Sequence, residues 1–149
     1  MRLPGEILQG ILARAALVLL RVYLGVVFLI AALPKLQADF TPGLTAFLEQ
    51  RALEQSHPFY RGFLEEVVLP NTQLFAALVT GGEFLVGVFL ILGLLTRLSA
   101  TVALLLTLNY MFAKGAWPWT PSSNDAAFAA ISLALAIGAA GRTLGLDAM

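Results

Sequence analysis

The sequence predicts an all-α membrane protein: a four-transmembrane-helix bundle with short amphipathic helices in the long loop between helices 1 and 2. Three observations predict it. Hydrophobic residues make up 59% of the 149 and charged residues only 12%, against roughly 45–50% and about 25% in a typical soluble domain. The apolar residues gather into four runs, each near the roughly 20 residues that cross about 30 Å of hydrocarbon at 1.5 Å per residue. The acids gather instead in one connection, where Asp39, Glu49, Glu54, Glu65 and Glu66 all fall within 34–71. The length suits a single integral membrane domain over 1–149.

The first span is expected over about 15–33, with Arg21 as its one charge and Pro34-Lys35 as its stop. Ahead of it, Leu3, Ile7, Ile11 and Leu12 recur at helical spacing with Glu6, Gln9 and Arg14 between them, which predicts a short helix lying at the membrane surface. A cleaved signal peptide explains the same run less well, because Glu6 dilutes the basic start, Arg21 interrupts the apolar stretch and no A-x-A site follows. The connection over 34–71 is expected to form a lid of two amphipathic helices across one mouth of the bundle. Leu44, Phe47 and Leu48 mark the first, Phe59, Phe63, Leu64, Val67 and Val68 the second, and His57-Pro58 divides them. The second span, about 72–95, carries Glu83 as its sole charge. A very short link over Thr96–Ser99 then forces an antiparallel neighbour over about 98–113, ended by Lys114-Gly115. The fourth, about 126–140, is alanine-rich, with Asn124 or Asp125 as its N-cap and Gly141-Arg142 as its stop. Four crossings place both chain ends on one side. Lys and Arg near the span ends tie between the two sides until those in the long loop are discounted, which favours cytoplasmic termini.

Composition excludes several chemistries. Nine Lys+Arg against nine Asp+Glu leave no basic excess for a nucleic-acid backbone. The absence of cysteine removes disulfides, iron–sulfur clusters and thiolate zinc sites, and the lone His57 can neither hold a bis-histidine haem nor start a metal cluster. No Ser-His-Asp set, P-loop, dinucleotide turn or HExxH is present. No catalytic residue is assigned, and no metal or covalent cofactor is expected.

The buried charges are the informative feature, since an ion at mid-span costs about 2.5–3.5 kcal/mol on insertion scales unless partnered. Arg21 lies twelve residues below Leu33 and Glu83 eleven beyond Thr72, so both are expected about 17–18 Å below the lid and paired with each other. That pair is either a site for a small polar ligand or a structural ion pair fixing helix register. Gly25 and Gly87 stand four residues after them on the same faces, and either admit a close helix approach or open space for a ligand. Lys35 and Arg97 close both patterns fourteen residues on, and Asn109 and Tyr110 add an amide and a phenol on the third span. Asn109 is expected to bond a neighbouring helix. Trp117, Trp119 and Tyr60 suit an aromatic belt, His57 a solvated loop, and Ala130, Ala134 and Gly138 close helix packing or a homo-oligomer contact.

Several of these residues also resemble a known family. Arg21-Val22-Tyr23-Leu24-Gly25 followed by Pro34-Lys35-Leu36, the run from Pro58 to Asn71, and above all Gly82-Glu83 through Gly87 to Leu92-Gly93-Leu94-Leu95-Thr96-Arg97 are similar to the DoxX family, which includes the DoxD-like small subunits of thiosulfate:quinone oxidoreductase. The resemblance covers roughly 14–115, and where many members have a glycine ahead of the first-span lysine this chain has Ala32-Leu33. It implies a four-helix protein of a bacterial or archaeal inner membrane, associated with quinone-linked redox complexes. As an oxidoreductase subunit the chain would not be self-sufficient and would need a partner redox subunit beside the lipid bilayer. The expected function is therefore a component of a quinone-linked membrane redox system, with quinone at an intramembrane site of Arg21 and Glu83 supported by Lys35 and Asn109. The other readings are a non-catalytic assembly factor or anchor, and a small-molecule transporter working as an oligomer.

Overall fold

The computed structural model describes residues 4–138 and Asp147. Helix α1 runs unbroken over Pro4–Gln37, so the expected surface helix and the first span are one element. Pro34 does not stop it. A proline in the last turn lacks only one N–H, and the helix closes beyond it with the Ala38 N–H donating to the Pro34 carbonyl at 3.2 Å. That extra turn keeps Lys35 on the helix.

The lid follows, as two helical segments. Asp39 accepts the Thr41 N–H at 2.9 Å and starts α2 (Thr41–Phe47), which continues through a π-helical turn, Leu48–Ala52, into α3 (Leu53–Gln55). The chain then extends at Ser56 and His57, ψ 154° and 137°, and at His57 the following Pro58 disfavours the helical region. The second segment is α4 (Pro58–Phe63), a π-helical turn Leu64–Val68 and a 3₁₀ turn Leu69–Asn71. Leu48, Ala52, Leu64, Val68 and Ala113 form the buried cluster beneath the lid. His57 belongs to this packing and is not a solvated loop residue. It is buried, its Nε2 lies 3.0 Å from the Ala116 carbonyl, and Phe59, Phe112 and Trp117 surround its ring.

Helix α5 spans Thr72–Leu92 and ends three residues earlier than expected, at Gly93, whose φ of 67° is the left-handed stop that glycine adopts without strain. The link is thus Gly93–Leu95, and α6 spans Thr96–Ala113. Helix α7 covers Asp125–Ile137. Asn124 occupies its N-cap position without a side-chain cap bond. The expected positions 139–140 of this element and its stop at Gly141-Arg142 lie outside the described residues.

These helices close a ring in which α1 packs on α5, α5 on α6, α6 on α7 and α7 on α1. Leu24, Phe28, Val86, Leu90, Ala100, Ala103 and Leu135 form its core. Two apolar helical stretches, Leu8–Gln37 and Pro58–Leu92, are long enough to cross a membrane, and only 28% of the apolar window in each is buried. A soluble core helix would bury most of that surface. Here Leu19, Ile30, Leu78 and Leu105 point outward, while Arg21, Thr80, Glu83, Ser99, Thr107 and Ser132 are buried inside. Polar residues within and large apolar residues without suit a lipid solvent. Among the described residues there is no strand.

Candidate functional site

Glu83 is 2% exposed and lies between two donors. Lys35 Nζ donates to its Oε2 at 2.5 Å, and the Tyr110 hydroxyl donates to its Oε1 at 2.7 Å. A carboxylate removed from water loses several kcal/mol of solvation, and charge-assisted hydrogen bonds on both oxygens offset that loss. Each partner comes from a different element: Lys35 from the last turn of α1, Glu83 from the middle of α5, Tyr110 from the last turn of α6.

The expected Arg21–Glu83 pair is not formed, and helix register is the reason. A Cβ on Gly87 would lie 2.8 Å from the Leu29 backbone nitrogen, and one on Gly25 would lie 3.0 Å from the Gly87 carbonyl oxygen. The glycines therefore admit a close helix approach and leave no ligand notch. With Leu29 opposite Gly87 and the helices antiparallel, Glu83 is level with position 33 and Arg21 with position 95. The two charges are about 18 Å apart along the bundle, at 1.5 Å per residue. Near-equal counts from Leu33 and from Thr72 suggest one depth, but in this register Glu83 itself is level with Leu33, so the two counts do not start at the same height.

Arg21 instead shares its end of the bundle with Asp147. The Asp147 carboxylate accepts the Leu95 N–H at 2.6 Å and the Thr96 N–H at 2.8 Å, and its own N–H donates to the Gly93 carbonyl at 2.9 Å. Leu95, the N-cap residue of α6, has no capping oxygen and sits at φ 47°, so a carboxylate some fifty residues away supplies the cap. Desolvation pushes the Asp147 carboxyl up, but the Thr96 and Leu95 N–H groups and the charge of Arg21 outweigh it and hold the group below its ordinary value.

Lys35, Glu83, Tyr110 and Lys114 line a cavity of about 310 Å³. Its remaining wall is apolar, with Phe40, Leu44 and Phe47 from the lid and Val79 from α5. Lys35 also borders a more polar opening of about 320 Å³ reaching Asp39, Thr41 and Gln73. At the exposed rim, the Thr41 N–H holds the Asp39 carboxyl below its ordinary value. A third cavity of about 140 Å³ touches Glu83 and Tyr110 from the other side, between α1, α6 and α7. Beside it Lys114 Nζ donates to both oxygens of Asp125, at 3.1 and 3.0 Å, and the Ser123 hydroxyl adds a bond at 2.8 Å.

Of the residues singled out from sequence, the structure brings together Glu83 and Lys35, with Tyr110. Arg21 is at the opposite end, Arg97 is exposed at the start of α6, and Asn109, about 100° around the helix from Tyr110, lines none of these cavities. Trp117 and Trp119 stack at 5.5 Å on the surface, and Ala130 and Ala134 face outward. Asp125 and Asp147 were not legible as site residues, because their partners are held by tertiary contacts. Among the described residues no group of three or more His, Asp or Glu side chains is placed to hold a metal.

The DoxX family model matches residues 16–115, two thirds of the sequence. The chain belongs to the DoxX family. No curated protein and no solved structure matches it. The matched stretch contains Arg21, Lys35, Glu83 and Tyr110 but stops before Asp125 and Asp147, so in this DoxX protein the ion pair of α7 and the cap of α6 draw on residues outside it.

Proposed function

We propose that this DoxX protein is a membrane subunit of a quinone-linked redox system, and that the cavity beneath the lid takes the quinone headgroup. One observation carries the reading: an otherwise apolar chamber of about 310 Å³ is lined by a buried carboxylate, a phenol and two ammonium groups. Its size is at the lower end for small-molecule pockets, which suits a headgroup. The ring carbonyls of a quinone accept hydrogen bonds, and Lys35, Lys114 and Tyr110 are donors. Reduction to the quinol adds two electrons and two protons. The electrons come from a partner redox subunit, while Glu83, held between Lys35 and Tyr110, accepts and returns protons as a general acid–base group. Arg21, expected from sequence to hold the quinone beside Glu83, lies toward the other end of the bundle.

Family membership and the outward apolar faces of α1 and α5 support the membrane setting. In this reading α6 and α7 also cross the bilayer of a bacterial or archaeal cell, both chain ends face the cytoplasm, and the lid lies on the opposite side.

Titration of a tailless substituted benzoquinone into the protein in lipid nanodiscs tests the proposal. Glu83→Gln and Tyr110→Phe are each expected to weaken binding about tenfold or more, since hydrogen bonds to charged groups contribute about 1.5–3 kcal/mol. Arg21→Gln is expected to change affinity by less than about twofold, because an uncoupled distant site adds within about 0.5 kcal/mol. Wild-type affinity in both Glu83→Gln and Tyr110→Phe would remove the reading.

A further inference from the structure

The cavity of about 140 Å³ shares Glu83 and Tyr110 with the lid cavity, so the Tyr110–Glu83 hydrogen bond stands between the two chambers. Its other walls are Val27, Phe28 and Ala31 of α1, Asp125 and Phe128 of α7 and Thr107 of α6. Ala31 is exposed, and its neighbours on the same helix, Ile30 and Leu33, present 63% and 44% of their surface outward. The rim of this chamber is therefore on the lipid-facing side of α1. A cavity of comparable size with apolar walls accommodates benzene, so this one has room for a ring or a short branched hydrocarbon segment.

We infer that the gap between α1 and α7 is a lateral entrance from the bilayer, through which an amphiphilic ligand slides its headgroup to Glu83 and leaves its apolar tail lying between Val27, Ala31 and Phe128. This rests on the reading of the lid cavity as a headgroup site. It goes further by naming the substrate class as lipid-dissolved and tailed, and by giving the route. The residues suit that route. Val27 and Ala31 on α1 keep the gap open, Phe28 and Phe128 give the tail aromatic walls, the Thr107 hydroxyl already donates to the Ala103 carbonyl at 2.7 Å, and the Asp125 carboxylate is held by Lys114. Because lipid is as apolar as these walls, the tail gains little by entering. The opening provides access, and affinity comes from the headgroup.

Two probes separate the claims: a tailless substituted benzoquinone and the same ring carrying a decyl chain, both titrated in nanodiscs of one lipid composition. The wild type is expected to bind both with similar affinity once membrane partitioning is accounted for. Ala31→Trp and, independently, Val27→Phe obstruct the gap. Each is expected to weaken the decyl probe about tenfold or more while the tailless ring binds as before, which also shows that the variants fold. Equal affinities for both probes in both variants, or equal losses, would overturn the lateral entrance while leaving the headgroup site standing. Failure of the tailless ring to bind the wild type would overturn the headgroup site and the entrance together, and failure of the decyl probe alone would overturn the entrance.

Discussion

Arg21 and Glu83 are each 2% exposed, and each is compensated from a distant part of the chain. Glu83 gains Lys35 and Tyr110 directly. Arg21 has the electrostatic partner Asp147, whose carboxylate also caps α6. The latter arrangement has a pH signature. The native Asp147 carboxyl titrates below its ordinary value, so the folded state favours the ionised form. That contribution is present above the unfolded-state value of about 3.9 and fades as pH falls through the lower native value. Thermal unfolding between neutral pH and about pH 3 is expected to show a loss of stability that Asp147→Asn largely removes. An unchanged acid profile in Asp147→Asn would contradict the cap. At this scale the sequence announced that Glu83 needed a cation, with Arg21 expected and Lys35 named only in support of the site. It did not reveal which cation reached it, since the answer depends on where two helices cross.

At the scale of the elements, the crossing is set by Gly25 and Gly87. A Cβ at Gly87 would lie 2.8 to 2.9 Å from the backbone and Cβ of Leu29, and a backbone cannot yield as a flexible side chain can. Gly87→Ala should therefore force α1 and α5 apart and lower stability by about 1–3 kcal/mol, the usual cost of overpacking. Gly62→Ala, with open space around it, should cost far less, and unfolding in detergent measures both. Equal stability of the two variants would contradict the close approach. The helices themselves were legible: the expected spans over 72–95 and 98–113 coincide with α5 and α6 to within three residues, and the division of the lid at His57-Pro58 is where the chain extends. Boundaries failed where one residue had two meanings. Pro34 reads as a stop, yet a last-turn proline is tolerated, and Thr96 reads as a link, yet Gly93 has already ended the helix.

Across the described residues a few polar side chains are buried within an apolar core while many large apolar ones face outward, which suits the membrane class that composition indicated. What composition and periodicity do not contain is the vertical register between antiparallel helices. Sliding α1 by about four turns leaves every amphipathic pattern intact, yet it exchanges Arg21 for Lys35 as the partner of Glu83. The glycine pair carries the missing information, because two such residues on facing helices mark the point of closest approach. Measured from that point, Lys35 falls on the same side as Glu83 and Arg21 on the other. The bundle thus holds two polar centres at opposite ends, Lys35–Glu83–Tyr110 under the lid and Arg21–Asp147 at the α5–α6 link. Double-mutant cycles on unfolding free energy, pairing Glu83→Gln once with Lys35→Met and once with Arg21→Gln, test it most directly. A coupling of about 1–3 kcal/mol with Lys35 and one within about 0.5 kcal/mol with Arg21 is the expected result. Strong coupling to Arg21 with none to Lys35 would contradict it.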